Sequence, residues 1–121
     1  MASIASKLQQ VRRRIDDACT RAQRPVQSVT LLAVSKTFGV DAVREAHAAG
    51  QHALGENYVQ ELVEKASLLR DLEGICWHMI GHLQRNKVRL VVKHVNVLHT
   101  VDSIRLVEEL EKRTESSLQV L

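Results

Sequence analysis

Residues 29–34 read VTLLAV, and residues 35–39 continue SKTFG. A nearly all-apolar run of this length, rich in β-branched side chains, predicts a strand buried on both faces. Pro25 interrupts what precedes it, and the chain is expected to turn near Phe38 and Gly39. Beyond the turn Asp41 is placed to cap a helix over Ala42 to about Ala49, with Gly50 as its terminator, and a second short strand is expected around His52–Gly55. The alternation then repeats. A helix is predicted from about Tyr58 to Leu72, a strand around Ile75–Ile80, a helix from about Leu83 to Lys93, a strand around Val95–His99, and a helix from about Ser103 to Arg113. Upstream, Ile4, Leu8, Val11, Ile15 and Ala18 recur at spacings of three or four, so Ile4 to about Arg21 is expected to form an amphipathic helix. Its apolar stripe should pack while Arg12, Arg13 and Arg14 face water. Short apolar strands each followed by an amphipathic helix cannot pair as hairpins. They predict an α/β fold with a parallel sheet and right-handed crossovers.

The chain of 121 residues fits one domain spanning 1–121. With 45% hydrophobic and 26% charged residues and a single proline, it is neither collagenous nor disordered. Trp77, Tyr58 and Phe38 are its only aromatic residues of that class, too few for a base-stacking platform. A net charge of +3 spread along the chain permits weak attraction to polyanions without indicating it, so no specific nucleic-acid partner is expected. No apolar run approaches the roughly 20 residues that cross a bilayer, and no membrane partner is expected. Cys19 and Cys76 match no zinc or redox spacing, and the start of the sequence shows no cleavable apolar segment, which favours a reducing, cytoplasmic setting. After a polar stretch at Thr114–Ser117, Leu118–Leu121 read as the beginning of another strand, so the chain is expected to stop inside an element.

The polar residues gather at strand ends. Lys36 directly follows the first strand, where parallel α/β folds collect ligands, and an amine there could form a Schiff base. That chemistry needs a neutral nitrogen, hence a lysine pKa brought down from about 10.4. A solvated lysine closing a strand is the competing explanation. The second strand ends in Gly55, Glu56, Asn57 and Tyr58, the third carries His78 and leads through Gly81 to His82, and the fourth ends in His99, Thr100, Val101 and Asp102. Recurrence at corresponding ends favours a shared pocket, although Asn57 and Asp102 could equally be helix caps. His78 and His82 do not form an HExxH pattern, and His94 and His99 lack ligand partners at recognisable spacing, so no metal site is expected. GHLQRNK at 81–87 could hold an anion on backbone amides but matches neither the Walker nor the dinucleotide glycine pattern, and its basic residues suit a solvated helix face.

Four ordered motifs, LLAVSKT at 31–37, GENYVQE at 55–61, WHMIGHLQRNK at 77–87 and HTVDS at 99–103, closely resemble the pyridoxal phosphate homeostasis family of the YggS/PROSC type. The resemblance covers nearly the whole chain. It implies the N-terminal half of a (β/α)8 TIM barrel of the alanine racemase type, with four strand–helix units after an N-terminal helix. It also implies pyridoxal 5'-phosphate as cofactor, held covalently by Lys36, with Asn57 and His78 near its ring and His82, Asn86 and Thr100 lining the same mouth. The function so implied is that of a cytoplasmic cofactor carrier, not an enzyme, acting in vitamin B6 and amino-acid balance. The alternatives are a racemase-like enzyme, for which no second proton-transfer group is evident, and a noncatalytic half-barrel that binds a partner. A complete barrel takes about 250 residues, so this chain reads as a fragment of one. The family's later serine-containing and RxG-type phosphate-binding segments have no counterpart in it, and cofactor retention is expected to suffer. The open edges of a half-barrel are expected to promote self-association.

Overall fold

The computed structural model describes residues 3–121. Its elements alternate as the apolar pattern requires. They are α1 (Ile4–Arg21), β1 (Ala33–Val34), α2 (Val40–Ala48), β2 (Ala53–Glu56), α3 (Val59–Leu68), β3 (Cys76–Met79), α4 (Val88–Val91), β4 (Val97–Leu98), α5 (Ile104–Arg113) and β5 (Gln119–Val120). The five strands form one sheet in sequential order, every neighbouring pair parallel. Right-handed crossovers that always step the same way put their helices on one face. The other face is left free to curve inward, which is how a sector of a (β/α) barrel is built.

The core lies between the sheet and α2, α3, α4 and α5. Strand alternation sends Leu54, Trp77, Met79 and Leu98 to this side, where they meet Leu62 of α3, Val88 and Val91 of α4, and Leu106 and Leu110 of α5. All are buried. The opposite, concave side carries Val34, Gly55, His78, Val97 and Gln119, aligned across the sheet by its register.

Several sequence expectations are corrected. The strand expected over 29–34 is reduced to Ala33–Val34 and is not buried on both faces, because β1 is an edge strand and Val34 is 46% exposed on the concave side. Ahead of it the Leu31 carbonyl is taken by the Gln51 side chain at 2.7 Å instead of by a strand ladder. Asp41 does not cap α2. Gly39 occupies the cap position, and Asp41 sits in the first turn, where a carboxylate favours the positive helix end. The helix expected to reach Leu72 stops at Leu68, with Leu69 as its cap, and Gly74, at φ +80°, stands in the turn that leads into β3. The helix expected over 83–93 shrinks to a 3-10 turn at Arg85–Lys87 and one α turn at Val88–Val91. Leu83 must drop into the core before the helix can start, and the β-branched valines that follow are weak helix formers.

In α1 the packed stripe runs Ile4, Leu8, Arg12, Ile15 and Cys19, not through Val11 and Ala18, which are exposed. Arg12 therefore leaves the arginine cluster expected in water. Its guanidinium donates to the Ala49 carbonyl and to Gln51 Oε1, each at 2.9 Å, and Gln51 Nε2 in turn donates to Leu31 and Ala53 carbonyls. One arginine thus ties α1 to the C-terminal end of α2 and the entrance of β2. Gln119–Val120 does pair with β4, as the reading of a fifth strand after Ser117 anticipates.

Candidate functional site

The C-terminal ends of the strands converge on one rim, and β1 reaches it first. Ser35 continues the ladder, its amide donating to the Gly55 carbonyl at 2.9 Å, and is buried. Lys36 follows and is exposed, and no ion pair among the described residues involves it. Thr37 then adopts φ +67°, a left-handed conformation costly for a residue with a β-branched side chain. Its amide is held by Glu61 Oε2 at 2.8 Å.

Beneath this turn lies a charged cluster that sequence reasoning missed. Glu56 at the end of β2 is fully buried and Lys65 of α3 is 5% exposed. Lys65 Nζ donates to Glu56 Oε1 at 2.6 Å, to the Ser35 carbonyl at 2.6 Å and to Glu61 Oε2 at 2.9 Å, while Ser35 Oγ donates to Glu56 Oε1 at 2.7 Å. Burial raises the Glu61 carboxyl, but hydrogen bonds from Lys65 and the Thr37 amide, with the Lys65 charge, outweigh it and hold the group below the ordinary carboxylate range. A signal was present in the sequence: Lys65 occupies a position on the same helical stripe as Leu62, Ala66 and Leu69, where a lysine must find partners if it is to be buried.

The second, third and fourth strand ends are drawn together by a glycine. A Cβ on Gly81 would lie 2.0 Å from the Asn57 carbonyl oxygen, so only glycine permits the backbone after β3 to cross that close to the end of β2. Thr100, after β4, donates through Oγ1 to the Gly81 carbonyl at 2.6 Å. Gly81 therefore touches both Asn57, backbone to backbone, and Thr100, through its hydroxyl. His82 follows on the exposed side, 3.8 Å from Asp102. Asn57 and His82 border a shallow depression of about 300 Å³ that Gln84 and Lys87 also line. Lys36 and Asn86 do not line it, and Asn86 is exposed on the 3-10 turn.

His78 sits on the concave face, one layer below the rim. Its Nδ1 lies 2.8 Å from His99 Nε2, and its Nε2 lies 3.5 Å from Cys76 Sγ, so the three side chains form a hydrogen-bonded chain across β3 and β4. Burial, and then the charge of His99, lower the His78 pKa below that of an ordinary imidazole, and burial raises the Cys76 thiol. This row lines an open trough of about 840 Å³ along the concave face, with Leu32, Ala53 and Val97. The pairing of His78 with His99 was not legible from spacing, because it depends on the register that sets Val97 opposite His78. Among the described residues no cluster of three or more metal-ligating side chains is arranged to hold an ion, and no helix is long and apolar enough to cross a membrane.

No protein-family model matches the chain. It is 46% identical over 123 residues to the pyridoxal phosphate homeostasis protein of Escherichia coli K12, an alignment that takes in 100% of this chain and 53% of that protein. The corresponding protein of Pseudomonas aeruginosa is 42% identical over 121 residues, with 52% of it covered. Among solved structures, PipY from Synechococcus elongatus PCC7942 without PLP superposes with a TM-score of 0.74 at 44% identity, over 91% of this chain and 46% of that one. The same protein with PLP bound gives 0.69 at 47% identity, over 81% and 47%. An unknown protein from Bifidobacterium adolescentis gives 0.81 at 29% identity, over 97% and 58%. The chain spans about half the length of the curated relatives it matches. Along its whole length, and in the partial (β/α) barrel it forms, the chain is similar to about half of a YggS/PROSC-type pyridoxal phosphate homeostasis protein.

Proposed function

We propose that this chain binds pyridoxal 5'-phosphate through Lys36 and serves cofactor homeostasis as a carrier, not as an enzyme. One observation carries the reading: the Lys36 amine stands exposed and outside every described ion pair, at the rim of a parallel sheet, between two neighbours whose backbones are held. The bound group supplies an aldehyde that condenses reversibly with a primary amine, with loss of water. The residues present fit it. Lys36 offers the amine, while Asn57 and the His78–His99 pair offer hydrogen-bonding groups on the rim and the concave face. Thr100 fixes Gly81 and with it the approach of the β3 end to Asn57, so its contribution is to shape the mouth. His82 and Asn86 remain accessible at the periphery.

Two features support a carrier. His78 and His99 on the concave face are occupied with each other and with Cys76, and the E. coli relative is named for homeostasis. The exposed edges at β1 and β5, with Val34, Val120 and Leu121 open to solvent, favour association with a second copy of the chain in a cytoplasmic setting.

The test is to add pyridoxal 5'-phosphate to the purified chain, follow the absorption of the adduct, reduce it with borohydride and locate it by peptide mass spectrometry. Label concentrated at Lys36, and lost in Lys36→Ala with unchanged circular dichroism, is the expected result. Equal labelling of surface lysines refutes specific binding. Amino-acid turnover above a free-cofactor control refutes the carrier, and a strictly monomeric chain in sedimentation velocity refutes self-association.

A further inference from the structure

We infer that Lys65 is a positioning residue for Lys36, acting through the two residues that flank it. This rests on the proposed role of Lys36 in binding the cofactor. All three donors of the Lys65 ammonium are used, on the Ser35 carbonyl, Glu56 Oε1 and Glu61 Oε2. The same carboxylate oxygens also take Ser35 Oγ and the Thr37 amide. One buried cation therefore fastens the residue before Lys36 and, through Glu61, the residue after it, leaving the side chain between them presented to solvent.

Stability alone does not account for such a cluster. Two carboxylates and one ammonium carry a net negative charge, and a buried ionic group is commonly no more stabilising than the apolar side chains that could replace it. Glu56 Oε2 is buried with no hydrogen-bond partner, a further cost the fold tolerates. Thr37 is held at a positive φ that a side chain with a branched Cβ disfavours, and the Glu61 acceptor is what answers its amide there. What the cluster specifies is a conformation: the turn at 35–37 in a single geometry, so that Lys36 meets an incoming aldehyde without first ordering its own backbone.

The experiment compares the chain with Lys65→Met, Glu61→Gln and, as a control of similar kind but remote from the turn, the core substitution Leu110→Ala. One readout needs no cofactor: hydrogen exchange at the Thr37 amide. The other is the yield of reduced pyridoxal 5'-phosphate adduct at Lys36 relative to surface lysines. Lys65→Met and Glu61→Gln are expected to speed Thr37 exchange and to weaken the Lys36 adduct by about tenfold each, while Leu110→Ala lowers the unfolding midpoint but changes neither. Wild-type adduct yields in both cluster variants, or an equal loss in Leu110→Ala, overturn the inference. If Lys65→Met does not fold, Glu61→Gln, whose carboxylate is partly exposed, decides alone. If the wild-type chain shows no preference for Lys36, the functional reading fails separately, and Thr37 exchange unchanged in Glu61→Gln overturns the clamp as well.

Discussion

Along β2 and β3 the two faces of the sheet treat neighbouring residues differently. Leu54 and Met79, facing the helices, are 1% and 0% exposed, while Val34 on the concave face next door is 46% exposed and His78 is half-buried. The helix-covered face is filled by leucine, valine and methionine in close packing, and the concave face carries Gly55, Val34, Val97, histidines and a cysteine over an open trough. The first face makes the fold, and the second, with the rim above it, keeps polar groups accessible. Side-chain deletions should therefore be costly on the helix-covered face and cheap at exposed positions of the concave face such as Val34.

The largest expected effect is Leu62→Ala on α3, whose side chain is 0% exposed against the helix-covered face. Loss of its contacts and the cavity left behind should cost about 4 kcal/mol in urea unfolding, whereas Val34→Ala on the concave face should stay within about 0.5 kcal/mol. A Val34→Ala cost as large as that of Leu62→Ala would mean that the concave face is packed in solution. Gly81→Ala comes next, at about 3 kcal/mol, because its Cβ would collide with the Asn57 backbone and neither chain has a flexible side chain to yield. Gly39→Ala, with nothing within 4 Å of the added carbon, is the matched control and should be near neutral. A tolerated Gly81→Ala would break the proposal that close backbone contact joins the second and third strand ends.

The difference between the faces also explains what could be read from the residues alone. Apolar periodicity reports the helix-covered face, so the parallel alternation, α5 at Ile104–Arg113 and the fifth strand are legible in the residues themselves. The rim was legible as a set of residues, because strand ends in an α/β fold fall where apolar runs stop. Relations between distant residues were not. Nothing local announces that Arg12 would reach Gln51, that His99 would meet His78, or that Glu56 and Lys65 would be buried against Ser35. Those depend on register and crossover geometry. Helix 83–93 was overread for a related reason: its basic and apolar letters suit a helix, but tertiary burial of Leu83 and the Gly81 crossing take the first residues out of it.

A smaller effect comes from the helix caps. Ser103 Oγ accepts from the Leu106 amide at 3.1 Å, and Ser3 Oγ accepts from the Ser6 amide at the same distance. Removing either cap should cost about 1 kcal/mol at most. Ser103→Ala should show most of that in global unfolding, since α5 contributes Leu106 and Leu110 to the core. Ser3→Ala frays an exposed end and should register mainly as faster amide exchange in the first turn of α1. Equal loss of global stability in both would show that the start of α1 is as tightly coupled to the core as α5.

The smallest expected effect is a pH dependence that separates the two faces by the range in which they respond. Burial and the neighbouring His99 charge disfavour the protonated form of His78 in the folded chain. As pH falls through about 6.5 the unfolded chain takes up a proton that the folded chain resists, so the unfolded state binds more protons and stability declines. His94, lowered by burial and by Arg70 and Lys93, acts in the same direction. Glu61, held below the ordinary carboxylate range, is the counterpart beneath the turn, and its contribution is lost only at lower pH, as the carboxylate is protonated. Denaturant midpoints measured between pH 7.5 and 5 should therefore fall modestly, and His78→Gln should flatten that slope while leaving the steeper decline below about pH 4.3 in place. An unaltered slope in His78→Gln would assign the mild-acid loss to His94, and the concave face would then not be the first part of the molecule to respond to protons.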